Sequence, residues 1–249
     1  MYEEIAQKKI LVVGASRGIG RQLCHAIDGL GGHVIAAARD VHSLAENLQD
    51  TGIPASRFMA CDIGNSEDIS ALVKGIEPVD ALCITAGAAK LAPKHMIKRS
   101  SIDAQLEVNL AGPVDLISTM LRFKKLNTGA SIVTTTASAR YNSVTATVPY
   151  VASKNGLVAV SRSLAAELSS LKMRINSVSF DYVMTDMTKP ILDHLEKTGT
   201  SEFQGIVGVS PVENSVVPYI YLISDASKWM TGQVVGADAG RRITRVVYG

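Results

Sequence analysis

Two residues are well placed by type and spacing to move a proton: Tyr150 and Lys154. They stand four apart in Tyr150-Val-Ala-Ser-Lys154, within a stretch that reads as a helix from Tyr150 to Leu171, so both side chains leave the same face. A phenol can give its proton to a carbonyl oxygen or take one from an alcohol. Its ordinary pKa is about 10. An ammonium one turn away favours the phenolate and is expected to lower that value.

A second motif supplies a place for a phosphate. The run Gly14-Ala-Ser16-Arg17-Gly18-Ile19-Gly20 joins an apolar stretch, Lys9–Gly14, to a predicted helix, Gly18–Leu30. Gly14 permits a tight turn, Gly18 lets backbone approach a phosphate, and Gly20 allows close helix–strand packing. The helix start offers free N–H groups and a positive dipole to a pyrophosphate. Such a glycine pattern gains weight when it follows a strand and opens a helix, as here.

The residues after the next strand bear on which dinucleotide would fit. An acid there accepts hydrogen bonds from a ribose 2′-OH and repels a 2′-phosphate. The sequence reads Ala36-Ala37-Ala38-Arg39-Asp40, with Ala38 at the usual acid position. Arg39, with Arg17 from the glycine turn, can hold a 2′-phosphate through charge-assisted hydrogen bonds. The expectation is NADP(H), with NAD(H) the alternative. Asp40 dissents, unless it serves as the N-cap of the following helix.

These residues need a scaffold. Apolar strand-like runs alternate with amphipathic stretches along the whole chain. Strands are expected at Lys9–Gly14, His33–Ala38, Arg57–Cys61, Val79–Thr85, Ser131–Thr136, Arg174–Ser179 and Gln233–Ala237. Helices are expected at Gly18–Leu30, Val41–Gln49, Ser66–Gly75, Tyr150–Leu171 and Val212–Ser224. A further helical stretch, Ile102–Leu126, is expected to break near Gly112-Pro113. Continuous apolar strands separated by helices indicate parallel strands buried on both faces, hence an α/β, doubly wound sheet with helices on both sides. No linker divides the chain, so residues 1–249 are read as one domain. The strandless stretch Phe180–Ser210 contains a candidate substrate lid at about 186–208.

The order and spacing of these motifs resemble the short-chain dehydrogenase/reductase family over essentially the whole chain. Besides the G-x-x-x-G-x-G turn, the resemblance runs through Cys61-Asp62-Ile63, Ala86-Gly87, Asn109, Tyr150-x-x-x-Lys154, Val183-Met-Thr185 and Thr231-Gly232-Gln233. It implies a Rossmann-like fold and hydride exchange between a nicotinamide and a carbonyl or alcohol, with Tyr150 as acid and base. It implies that Lys154 binds the nicotinamide ribose, that Asp62 meets the adenine with Ile63 beside it, and that Val183 and Thr185 hold the carboxamide. Gly14, Ser16, Arg17, Gly18, Ile19, Gly20, Arg39, Ala86 and Gly87 complete the expected cofactor contacts. Asn109 is expected to bend its helix and hold a water that relays protons to Lys154. The family's serine usually lies 13 residues before the tyrosine, which here is Ala137. Ser138, one residue on, is the expected substitute, and Thr136 the poorer one. A homodimer or homotetramer is the family-level expectation.

Some positions depart from the family's commonest pattern. Val13 replaces a threonine, Ile84-Thr85 replaces Asn-Asn, and Phe180-Asp181 replaces Pro-Gly. Asp181 would put a negative charge near the nicotinamide or face solvent. The substrate is not legible, since Ala88–Arg99, Ala139–Pro149 and Phe180–Gly208 carry little pattern. A dehydratase or epimerase on the same scaffold, and a non-catalytic dinucleotide-binding regulator, are the rival readings.

Composition excludes other classes. The chain has 249 residues, 47% of them apolar, and a formal net charge of +2 without basic stripes, which offers nothing to nucleic acid or an anionic membrane. The first residues, with Glu3 and Glu4, are not those of a signal peptide, and no run is long enough to span a bilayer. Cys24, Cys61 and Cys83 and the five scattered histidines lack metal spacing. His194, in the lid stretch, reads as a surface histidine. A reducing cytoplasm is the expected location.

Overall fold

A computed structural model describes residues 2–138, 147–197 and 208–240. Residues 139–146 of the expected loop Ala139–Pro149, residues 198–207 of the lid stretch and residues 241–249 fall outside the described residues.

Seven strands form one parallel sheet in the order β3-β2-β1-β4-β5-β6-β7. They are β1 Lys9–Val13, β2 His33–Ala38, β3 Phe58–Ala60, β4 Val79–Ile84, β5 Leu126–Ala137, β6 Arg174–Phe180 and β7 Val234–Ala237. The helices are α1 Gly18–Gly29, α2 Val41–Asn47, α3 Ser66–Gly75, α4 Arg99–Leu106, α5 Gly112–Arg122, α6 Val148–Glu167, α7 Lys189–Lys197 and α8 Val217–Ile223. None among the described residues is long and apolar enough to cross a membrane.

The strands are apolar throughout because both faces are covered. In β1, Ile10 and Val12 join the cluster that contains Leu23 and Ile27 of α1 and Tyr219 of α8. Leu11 and Val13 join the opposite cluster, with Leu72 of α3 and Leu116 of α5. All four are at most 1% exposed, and each aliphatic side chain so buried contributes roughly 2 kcal/mol before entropy is counted.

The order of strands fixes where a ligand would lie. The chain winds outward from β1 to β3, then returns to β4 on the other side of β1. The connections therefore part at the carboxyl ends of β1 and β4 and open a crevice there. The glycine turn follows β1, and Thr85–Gly87 follows β4, so both face that crevice.

The long helical stretch is interrupted by one π-helical turn, Glu107–Ala111, between α4 and α5. It holds Asn109, which is fully buried. Pro113 makes no break, since it sits in the first turn of α5, where its missing N–H costs little.

Candidate active site

At the crevice, the glycine turn is fixed by its neighbours. Gly14 and Ala15 both donate to the Ala37 carbonyl, at 2.8 and 3.1 Å. Gly14 has φ +94°, and a Cβ there would stand 2.5 Å from the Ala86 nitrogen. A Cβ on Gly20 would stand 2.1 Å from the Gly14 oxygen, so helix and turn meet without room for a side chain. Thr85, which replaces an asparagine of the usual pattern, donates its hydroxyl to the Val13 carbonyl at 2.9 Å and to the Gly14 carbonyl at 3.2 Å. The hydroxyl thus ties the ends of β1 and β4 together.

Helix α1 opens on Gly18 with Arg17 in extended conformation as N-cap, without a side-chain cap and without an acid in its first turn. By contrast, Asp40 caps α2 and Asn65 caps α3. The opening of α1 therefore keeps its positive end for a ligand. Ser16 and Ile19 lie half-buried in the turn. Thr185 closes over it, its methyl 3.4 Å from where a Gly18 Cβ would be.

Arg17 and Arg39 are exposed at the mouth of the crevice, and Ala38 is buried. Asp40 does not compete for a ribose. Its carboxylate accepts the His42 N–H at 2.9 Å and the Ser43 hydroxyl at 2.8 Å, and these bonds, Ser43's first, hold it below the ordinary carboxylate range. Asp62 turns one oxygen to the Gly64 N–H at 3.0 Å, and Ile63 is buried beside it.

The proton-transfer residues meet at the adjoining strand ends. Lys154 is 4% exposed and donates to the Thr135 carbonyl at 2.9 Å. Its Nζ lies 6.0 Å from the centre of the Tyr150 ring. A Cβ on Gly87 would stand 3.3 Å from both the Lys154 Nζ and the Asn109 Oδ1, which places these groups round one point. The Asn109 amide accepts the Ala88 N–H at 2.8 Å and donates to the Ala88 carbonyl at 2.7 Å and to Ser153 at 3.1 Å. It lies in the π turn that interrupts the helix, and its side chain pins the β4 loop to α6 rather than standing free for a water.

Burial reverses the expected effect on Tyr150. The phenol is raised to about 12, and Lys154 is lowered to about 8, each by loss of hydration. The low-polarity setting disfavours both charged forms, and this outweighs the pull of the ammonium on the phenolate.

Alternation along β5 sorts the hydroxyls. Thr135 bonds the Ile84 carbonyl and Tyr219. Thr134 and Thr136 point the other way, to Ser161 and the Lys154 carbonyl of α6. Thr136 is thereby spent on the scaffold, and Ala137 falls on the Thr135 side. Ser138, just past the strand and 2% exposed, donates its hydroxyl to the Asp181 carboxylate at 2.9 Å. The expected donor to a substrate oxygen is thus engaged with Asp181. Phe180, where proline is usual, is 5% exposed and stacks on Tyr219, with ring centroids 6.0 Å apart.

Other supports were not singled out from sequence. Ser153 bridges Asn109 to the Tyr150 carbonyl. The Thr188 hydroxyl binds the Val183 carbonyl and the Thr185 hydroxyl and backbone, which sets the loop that carries both residues. Hydroxyls spaced three apart, as in Thr185-x-x-Thr188, are the one signal that could have shown it. The three cysteines are buried free thiols, with Cys61 pushed up to about 12 by burial. Among the described residues, no group of three potential metal ligands occurs.

The family model of short chain dehydrogenases matches residues 8–196, which contain the crevice, the π turn and the tyrosine–lysine pair. The chain belongs to the short-chain dehydrogenase/reductase family. An L-xylulose reductase of Caenorhabditis elegans is 31% identical over 244 residues, covering 95% of this chain and 96% of that protein. A 3-oxoacyl-(acyl-carrier-protein) reductase of Rickettsia bellii is 26% identical and covers 95% of this chain and 98% of its own. The solved structure of the angucycline C-6 ketoreductase LanV with bound NADP superposes with a TM-score of 0.87 at 20% identity, covering 96% of this chain and 97% of that one. Family members of this fold act on alcohol and carbonyl groups, and this chain is an oxidoreductase of that kind.

Proposed function

We propose that the protein is an NADP(H)-dependent carbonyl–alcohol oxidoreductase in which Tyr150 is the acid and base. The observation that carries this reading is the meeting of half-buried Tyr150 with the buried Lys154, which lies beside Gly87 at the carboxyl end of the sheet. The crevice fits a dinucleotide. Gly14 and Gly20 leave no room for side chains, and the open start of α1 would receive a pyrophosphate. Asp62, Ile63, Ala86, Gly87, Val183 and Thr185 line the expected course of the rest. Arg17 and Arg39 would hold the 2′-phosphate, since Asp40 is occupied with its own helix. LanV, a structural neighbour, was solved with NADP bound.

When bound, the nicotinamide supplies or takes the hydride. Tyr150, protonated at neutral pH like any phenol of pKa about 10 or above, donates to the carbonyl oxygen. Lys154, still mostly cationic at pH 7, returns the proton and binds the ribose. Asn109 positions the lysine's surroundings, and Ser138 shapes the substrate side through Asp181. The chain is read as one domain with a lid at about 186–208, of which residues 198–207 lie outside the described residues. The substrate is a small carbonyl or alcohol compound, and the assembly a homodimer or homotetramer.

Two measurements test this. NADPH oxidation at 340 nm with a panel of ketones and aldehydes is expected to exceed NADH oxidation by at least about tenfold. Arg39→Ala should remove most of that preference, as a charged hydrogen bond of about 1.5–3 kcal/mol is lost. An unchanged preference rules out the arginine as its source. The second measurement is a pH profile. Since Lys154 loses its proton near pH 8, kcat for reduction should fall as pH rises through about 8, with unit slope. A rate that is flat to pH 10 counts against a cationic Lys154 in the step.

A further inference from the structure

Resting on the oxidoreductase reading, we propose that Asp181 selects the substrate, favouring a carbonyl that carries a neighbouring hydroxyl and rejecting one that carries a carboxylate. Asp181 directly follows β6, and Ser138 directly follows β5. The two strands stay in register to their ends, where Ala137 pairs with Phe180. That register brings the Ser138 hydroxyl to the Asp181 carboxylate at 2.9 Å.

A serine hydroxyl has one hydrogen, and here it is held by a carboxylate, which makes the bond charge-assisted. Ser138 is left with lone pairs, and an ionised carboxylate only accepts. The edge of the site built by these two residues therefore recognises donors. Tyr150, a protonated phenol at neutral pH, is the complementary donor. A hydroxyketone satisfies both: its carbonyl oxygen takes the Tyr150 proton, and its hydroxyl donates to the Ser138–Asp181 pair. A keto acid would bring a second negative charge to a half-buried carboxylate, and a simple ketone leaves the pair unused. Asp238 follows Ala237, the register partner of Phe180, so a second carboxylate lies at this end of the sheet.

The test uses three ketones of equal chain length, 3-hydroxybutan-2-one, butanone and 2-oxobutanoate, with NADPH and the full chain. For the wild type, kcat/KM should be highest for the hydroxyketone, by about tenfold or more over butanone, and lowest for the keto acid. Asp181→Gly restores the residue that the family usually carries there. It should lower kcat/KM for the hydroxyketone at least tenfold. It should raise it for butanone, because Ser138 is freed to donate, and for 2-oxobutanoate. Asp181→Asn, which keeps an acceptor without the charge, should help the keto acid and weaken the hydroxyketone less. Ratios that are the same in all three proteins overturn the proposal.

Calorimetric binding of the same ketones to protein saturated with NADP+ separates this from the broader reading. Asp181→Gly should weaken hydroxyketone binding about tenfold, whatever the turnover. Equal affinities in wild type and variant overturn the selection by Asp181. An absence of NADPH oxidation with every carbonyl overturns the redox reading alone.

Discussion

Replacing Tyr150 by Phe is expected to lower kcat for carbonyl reduction by about a thousandfold, with dinucleotide affinity within about twofold of the wild type. A positioned general acid contributes about 10²–10⁴ in rate. The variant removes that proton and little else. The ring stays in its half-buried place against Lys154, and the helix that carries it is anchored by Ser153 and Thr136 rather than by the phenol. The phenol is also the site's ready donor, because Ser138 gives its hydrogen to Asp181. Steady-state kinetics with NADPH and titration of cofactor binding check the two halves. Full turnover in the phenylalanine variant would remove Tyr150 from the mechanism.

Lys154→Met should produce two opposed effects: a fall in kcat of at least a hundredfold and a gain in stability at pH 7 of about 2 kcal/mol. Lys154 is 4% exposed, and burial lowers it from 10.5 to about 8. A shift of that size corresponds to roughly 3 kcal/mol against the charged form. Loss of the bond to the Thr135 carbonyl offsets about 1 kcal/mol of the relief. The sign with pH follows from the protons held. Between about pH 8 and 10.5 the unfolded chain keeps the lysine proton and the folded chain does not, so wild-type stability rises with pH across that window. The methionine variant lacks this rise. Its advantage should therefore be largest below pH 8 and shrink toward pH 10.5. Urea unfolding at pH 7 and pH 10 measures it. A variant less stable than wild type at pH 7 would contradict the burial argument.

The parts of the fold that the sequence shows well are those with an unbroken pattern. His33–Ala38 and Ser66–Gly75 are found with the expected bounds, one a purely apolar run and the other an amphipathic stretch capped by Asn65. The family and the sheet type follow from the same runs and from the glycine turn. Where pattern is weak, tertiary pairing decides. Leu126 was expected to end a helix, but it begins β5, because it pairs with Val79 ahead of a register shift. The helix break expected near Gly112-Pro113 is the π turn Glu107–Ala111, which directly precedes them. Gly112 is needed there for another reason: a Cβ would stand 2.0 Å from the Ile63 carbonyl. Residues 212–224, expected as one helix, divide into a 3-10 turn and α8. The stretch Phe180–Ser210 contains helix α7, which lacked a clear start signal.

The site divides in the same way. Residue types and spacing pointed to Tyr150, Lys154 and the glycine turn, and the family resemblance to Asn109. The resemblance also offered Ser138, one residue on from the usual place, but not its partner. Asp181 lies 43 positions away, and only the register of β5 with β6 brings the two together. The raised Tyr150 and the lowered Lys154 were likewise hidden, since they depend on burial, which no local motif records.

The central claim is hydride exchange with a carbonyl, and isotope transfer tests it most directly. NADPH carrying deuterium at the transferable C4 position, incubated with enzyme and a turned-over ketone, should give an alcohol with one deuterium on the carbinol carbon. The Tyr150→Phe variant should form it about a thousandfold more slowly. An alcohol free of deuterium, or no alcohol from any carbonyl while the protein still binds NADPH, would contradict the account.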